Sequence, residues 1–360
     1  MRNQVNFGLL LALLFVFNPF VGLAQSDETE EAFSPIELID SHVWDSHEFH
    51  ITDWKGKPIT LALPIILWTD NGLTVFSSSR FDHDNSGQTV VEVNGERFVR
   101  YEENIFYADK FDKVAFDEKS VLSKPFSYEL RPLDFSITKT VFSMLLSLVL
   151  LLLIFMSAAR PYKKNNKAPK GISGFIEPLI LFVRDDIAKP QLGNNSDKFM
   201  PILLTIFFFI WINNIIGIIP FFPFGGNVTG NIIFTFTMAI IVFLLTVFNG
   251  NKHYWGHILN PPVPFLLKFI LAPIEVVGIF TKPFALMVRL FANMTAGHII
   301  IISLSSLIFV IGSVAVAPVS IIFVLFMTVL KLLVAVLQAY IFTLLAALFI
   351  GQAVEQPEEV

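Results

Sequence analysis

Glu275, Lys282, Arg289, Asn293 and His298 all lie within one apolar stretch that runs from about Ile274 to Ile311. A charge at membrane depth costs at least ~2.5 kcal/mol on insertion scales, so each is a functional candidate by default. On a helical wheel turning about 100° per residue, with Arg289 at zero, Lys282 falls near 20°, Glu275 and Asn293 near 40°, and His298 near 180°. One polar stripe contains the arginine, and the histidine points the opposite way. Arginine keeps its proton in proteins, so Arg289 is a permanent charge that needs a fixed or mobile carboxylate. Glu275 is about 21 Å away along a helix axis, too far to pair. The partner must come from elsewhere.

Simpler readings stand beside these. Glu275 and Lys282 lie near one end of the stretch and can snorkel to water. Asn293, with Ala292, Ala296 and Gly297, can serve close helix packing. In the last apolar stretch Lys331 and Gln338 are seven apart and share a face, with Thr328 adjoining. An antiparallel hairpin would turn that face toward the preceding helix and let His298 and Lys331 line an aqueous path. His298 is the one group here whose unperturbed titration lies near neutrality, although a backbone carbonyl could equally satisfy it.

The elements that must hold these residues follow from composition. Of 360 residues, 54% are hydrophobic and only 15% charged, against roughly 25% charged in soluble domains. A soluble single-core fold is excluded. The net charge of −5 argues against nucleic acid, and the absence of cysteine removes disulfides and thiolate metal sites.

The chain opens with Arg2, an apolar run from Phe7 to Phe17, and Gly22-Leu23-Ala24 before polar residues. That reads as a signal peptide over 1–24, the alternative being an uncleaved anchor. Residues 25–135 carry strand patterns at Ile59 to Leu67, Gly72 to Ser77, Thr89 to Val93 and Arg97 to Tyr101. The pair Asn94-Gly95 between the last two marks a hairpin. A small β-rich domain, exported with the signal, is expected there. Within it His42, His47 and His50 cluster with Asp45 and Glu48. This is a weak zinc or copper candidate against an ordinary polar turn.

From 136 to 360 the pattern is that of a membrane domain with spans at about 137–158, 199–219, 232–248, 274–311 and 319–350. Arg160, Lys163, Lys164, Lys167 and Lys170 follow the first span, which puts that loop in the cytoplasm and the β-rich domain outside. The stretch Gly174 to Lys189 suits an interfacial amphipathic helix. The loop from Pro220 to Gly230 has no lysine or arginine and belongs outside. Lys252, His253 and His257 return the chain to the cytoplasm, Pro261 to Pro264 break the helix, and the acidic C-terminus stays inside. The expected fold is thus an all-α multi-pass membrane protein of five transmembrane helices plus an interfacial helix, with the small β-rich extracytoplasmic domain at its N-terminus. The fourth span, at ~57 Å if helical throughout, is nearly twice the hydrocarbon thickness. It must tilt steeply or break.

The block Lys282-Pro283, then Arg289-Leu290-Phe291-Ala292-Asn293-Met294-Thr295-Ala296-Gly297-His298, then Leu337-Gln338-Ala339-Tyr340-Ile341-Phe342, resembles the a subunits of F-type ATP synthases. Asn214 with Pro220, and Thr229 with Asn231, fit the same family, and the likeness covers about Phe199 to Gly351. It implies a proton-translocating subunit of the bacterial inner membrane, not itself an enzyme and without a cofactor. It also implies that the last two spans form a long, steeply tilted hairpin. Implied partners are a c-subunit ring, a b-subunit peripheral stalk, the remaining synthase subunits and lipid.

By the resemblance, Arg289 faces the ring's carboxylate, Asn293 and Gln338 assist, and Glu275, His298 and Lys331 lie on two offset ion paths. Asn214 and Asn231 would line a channel. One departure stands out: Lys331 occupies a position where the family has histidine or glutamate, opposite an already basic His298. Either Lys331 is neutral when buried or another subunit supplies a carboxylate. The rival classes are a secondary transporter or channel in which Arg289 binds an anionic substrate, and a receptor or assembly factor that uses the exported domain. Neither accounts for the arginine stripe without a ring, and no internal repeat of the kind transporters show is visible.

Overall fold

The structure, a computed structural model, describes residues 45–54, 57–111, 130–164, 171–219, 223–261, 263–311 and 316–355. The expected signal segment and His42 lie outside them, and so do the boundaries expected at 24 and 25.

The N-terminal unit is β-rich. Strands β1 (Glu48–Trp54) and β2 (Lys57–Ala62) pair antiparallel. A second sheet has the order β4-β3-β8, from β3 (Pro64–Thr69), β4 (Gly72–Ser77) and β8 (Leu133–Asp134). A third has the order β5-β6-β7, from β5 (Val91–Val93), β6 (Glu96–Tyr101) and β7 (Asn104–Tyr107). Asn94 and Gly95 take φ of 55° and 79°, the left-handed pair that a two-residue hairpin turn demands. Period-two burial on β3 and β4 sends Ile65, Leu67 and Phe76 into a core with Phe81, Val91, Phe98 and Ile105.

The single strand expected over Ile59 to Leu67 is two. Pro64 cannot donate to a ladder, and the amide and carbonyl of Leu63 turn aside to Ser78 Oγ and Ser78 N, both at 3.1 Å. β1, β7 and β8 were not expected.

The rest of the described chain is helical: α1 (Lys139–Lys164), α2 (Ile172–Phe182), α3 (Lys189–Leu192), α4 (Ser196–Ile218), α5 (Ile232–Phe248), α6 (Lys252–Leu259), α7 (Phe265–Ile311) and α8 (Ala317–Val354). Among the described residues four stretches are long and apolar enough to cross a membrane, or five if α5 and α6, bent by 101° at their junction, count as one span. α5 matches its expected bounds. The stretch from Ile172 to Ile218 passes through a π-helical segment, Val183–Ala188, and then breaks at Gly193, where φ is 52°. The helix expected over Gly174 to Lys189 and the second span are thus separate, and they fold back on each other, with Phe175 stacked on Trp211 at 6.3 Å. Asp185 of the π-helical segment pairs with Arg184 at 2.9 Å and Lys189 at 2.8 Å. α7 starts at Phe265 rather than Ile274, with Pro273 inside it. Its 47 residues amount to ~70 Å at 1.5 Å per residue.

The helical unit is arranged for lipid or protein neighbours and not for water. Ser143, Ser147 and Ala158 of α1 are buried, while Leu145, Leu148, Val149, Leu152 and Met156 are exposed. Several helix hydroxyls bond back to carbonyls one turn earlier, as Thr205 does to Pro201 and Thr343 to Ala339, which keeps those donors paired in an apolar setting. The core is built on α4, whose Leu203, Ile206, Phe207 and Ile210 pack with Phe342, Ala346 and Ile350 of α8 and Leu286, Leu290 and Met294 of α7.

Candidate functional site

The buried residues of α7 set the geometry of the site. On the same wheel, Leu286, Met287, Leu290 and Met294 cluster around ~115° from Arg289. Arg289 therefore lies outside the packed face, and it is exposed. Among the described residues no carboxylate pairs with it and no hydrogen bond reaches it.

Asn293 and His298 flank the packed face on either side, which lets both reach α8 although they project far apart. Asn293 Nδ2 donates to Gln338 Oε1 at 2.8 Å. His298 Nδ1 is 2.7 Å from Lys331 Nζ. The expectation that His298 turns away from the arginine holds for the wheel, yet the two flanks share one neighbouring helix. Lys331, only 7% exposed, runs its methylenes along Gly297, where an added Cβ would lie 3.5 Å from Lys331 Cε. A lysine nitrogen donating to Nδ1 requires that nitrogen to be unprotonated. The contact thus carries at most one positive charge between its two bases.

Asn214, 1% exposed, donates through Nδ2 to Ala335 O at 3.3 Å and accepts at Oδ1 from Thr229 Oγ1 at 2.7 Å. Thr295 Oγ1 donates to Gly230 O at 3.4 Å. These bonds tie the 3₁₀ turn Val228–Gly230 to α4, α7 and α8 at the level of His298. Asn231 instead caps α5, accepting from Ile233 N at 2.9 Å and Phe234 N at 3.4 Å. Its oxygen serves the helix end.

Lys282, on the arginine's stripe, is drawn to Gln352 Oε1 at 3.1 Å and lies over the Phe349 ring, while Glu275 is half-buried. Of the metal candidates, His42 is undescribed and so is the side chain of His50, and His47 turns to Asp134 and Glu103. Among the described residues no group of three such side chains is arranged around a common point.

A family model described as ATP synthase A chain matches residues 141–351, which contain Asn214, Asn231, Glu275, Lys282, Arg289, Asn293, His298, Lys331 and Gln338. The chain belongs to that family. Among its relatives are ATP synthase subunit a of Chloroherpeton thalassium, 49% identical over 233 residues (63% of this chain, 69% of the relative), and ATP synthase subunit a 2 of Chlorobaculum tepidum, 47% identical over 233 residues (62% and 65%). Subunit a of Chlorobium phaeobacteroides is 46% identical over 226 residues (61% and 66%), so the match spans about two thirds of each relative. A second model, Domain of unknown function (DUF8433), matches residues 38–135.

Membership of the ATP synthase A chain family disfavours a secondary transporter. Sequence reasoning missed several buried polar atoms that have no partner among the described residues: Ser143 Oγ, Asn213 Oδ1 and Asn227 Nδ2. Isolated serines and asparagines in apolar runs gave no periodic signal to find them.

Proposed function

We propose that this family member works as the proton-translocating stator of a rotary F-type ATP synthase, with Arg289 as the fixed charge against which ring carboxylates pass. The observation that supports this reading most is that guanidinium: set in a long apolar helix, exposed on the unpacked face, and unmatched by any acid among the described residues. A charge so placed costs several kcal/mol unless a neighbour brings the opposite one. A passing carboxylate next to Arg289 is favoured in its ionised form and cannot carry its proton straight past. Protons must then leave on one side and return on the other.

Two sets of polar side chains supply those sides. Toward the 223–230 loop lie His298, Lys331, Asn214 and Thr229, with unpartnered Asn227 Nδ2 and Ser143 Oγ placed to hold water. Toward the start of α7 lie Glu275 and Lys282. Asn293 and Gln338 sit beside the arginine, and Gln338 Nε2 remains free to donate. In this reading residues up to about 135 form an exported domain and those from 136 a membrane domain of the inner membrane. The Arg160 to Lys170 loop and the C-terminus face the cytoplasm. A c ring and a b-subunit stalk complete the assembly.

In the assembled complex, Arg289→Ala is expected to leave the chain inserted and to abolish ATP-driven proton pumping. Normal pumping by that variant refutes the reading. Co-purification with a ring of small apolar subunits is expected as well, since neither rival class requires one.

A further inference from the structure

The segment from Asp45 to Phe49 ties the β-rich unit to the first turn of α1 residue by residue. Asp45 accepts from Thr138 Oγ1 at 2.7 Å and Thr140 N at 2.9 Å, and Ser46 O accepts from Lys139 N at 2.8 Å. The Phe49 ring meets Phe142 edge-on at 6.1 Å. In the middle, His47 is 4% exposed. Its Nε2 is 3.2 Å from Asp134 Oδ2 and its Nδ1 is 3.9 Å from Glu103 Oε2, to which its backbone amide also donates at 3.3 Å. One imidazole thus joins β8 and the β6–β7 turn to the segment that caps α1.

The same end of α1 presses on the loop beside the polar site. A Cβ on Gly226 would collide with Ser143 Oγ and come within 3.3 Å of Lys139 O. A Cβ on Gly217 would meet Gly226 O at 3.5 Å, Asn227 Cα at 3.8 Å and His298 Cε1 at 3.8 Å. Contact is continuous from the His47 clasp through α1 and the loop to His298.

We propose that His47 is a pH-sensitive positioning residue, whose charged ring between Asp134 and Glu103 rivets the β-rich unit onto α1 and keeps α1 seated on the loop bordering His298. The transport half of this inference rests on the function proposed above; the rivet does not. The groups facing the cluster are Asp134 of β8, Glu103 of the β6–β7 turn, Arg100 of β6, Arg131 ahead of β8, Asp45 of the same segment and Lys139 of α1. Arg100 is committed to Glu48 at 2.7 Å and Arg131 to Asn104. Loss of the imidazolium removes the positive charge held between Glu103, which is half-buried, and Asp134, whose side chain is one-third exposed, and leaves Arg100 and Lys139 as charges acting on Glu103.

Burial opposes the charge on His47, but the hydrogen bond to Asp134 and the negative charges of Asp134 and Glu103 outweigh it and push its pKa up to about 9. A group raised in the folded state stabilises fully below its ordinary value, about 6.5 for histidine, and the contribution disappears as pH rises through about 9. The clasp is closed at neutral pH and opens in alkali.

The chain has no cysteine, so spin labels can be placed at Glu92→Cys and Ile233→Cys, both exposed, in the full-length chain within the assembled complex. The label-to-label distance distribution is expected to be narrow at pH 7 and to broaden above about pH 9. Asp134→Asn combined with Glu103→Gln should bring that transition down to about pH 7 or lower, and His47→Gln should abolish its pH dependence. A distribution unchanged from pH 7 to 10, or an unshifted midpoint in the double variant, overturns the rivet. ATP-driven pumping should lose activity over the same pH interval, at a midpoint that follows the double variant. Pumping indifferent to that shift overturns the positioning role, and it does so independently of the Arg289→Ala result, which tests the stator reading itself.

Discussion

Lys331 and His298 meet nitrogen to nitrogen at 2.7 Å, and two bases in contact cannot both hold a full complement of protons without opposing charges and clashing hydrogens. The pair is a single proton-sharing unit in which a buried amine can pass its hydrogen bond to a ring nitrogen. Lys331→Gln retains a donor but removes the titrating group. If the pair lies on the proton path, ATP-driven pumping should fall on the order of tenfold, about 1.4 kcal/mol in barrier, and the shape of its pH profile should change. A profile superimposable on the parent's between pH 6 and 9 removes Lys331 from the path. At this scale much was legible. Arg289, Asn293, Gln338 and His298 stand out because charge and amide are expensive in an apolar run. Their partners were less so, because a wheel gives directions around one helix and says nothing of where the packed face lies. Only Leu286, Met287, Leu290 and Met294, found buried, show why Asn293 and His298 both reach α8 and Arg289 does not.

Elements were read well where one local cause decides them. Asn94-Gly95 produced its hairpin, and the uncharged run of α5 gave its bounds. Elements that depend on distant residues were not visible. β8 is placed by its pairing with Leu67 and Trp68 of β3, more than sixty residues earlier in sequence, and the break at Leu63 depends on Ser78 as well as on Pro64. The start of α1 is the clearest case. Its cap is Asp45, whose carboxylate accepts from Thr138 Oγ1 and Thr140 N across more than ninety positions of chain. Replacing a cap of this kind costs about 1 kcal/mol. Asp45→Ala should therefore speed hydrogen exchange at the Thr140 and Val141 amides roughly five-fold, at a pH where His47 stays charged, and should leave exchange in the middle of α1 unaltered. Equal acceleration along the whole helix would mean that Asp45 holds the domain together rather than the helix end.

The whole molecule presents an outer surface that makes sense only against apolar neighbours. Phe265, Phe269, Phe280 and Phe284 of α7 and Ile322, Phe326, Val329 and Leu333 of α8 are exposed, and contiguous patches of that kind in a soluble monomer would drive association. The surface is not uniform. Around Arg289, within about 60° on the wheel, α7 carries Gly278, Ala285, Ala292 and Ala296, and the three alanines are exposed. Bulky side chains occupy the remaining exposed arc and bound the strip along the helix, with Ile274 before it and Ile300 and Leu307 after it. Lipid places no demand for small residues, because acyl chains conform to any contour; a second helical surface approaching closely does. If the ring docks along that strip, a large side chain there should hold it away from the guanidinium, and the energy of a charge pair falls steeply as low-dielectric contact is replaced by distance. Ala285→Trp is accordingly expected to leave insertion and the β-rich unit intact while lowering ATP-driven pumping by at least tenfold. Ala285 lies about one helical turn from Arg289 and contributes no polar group of its own. Pumping unaffected by the tryptophan would place the ring on a different face, and Arg289 would then need another source for its acid.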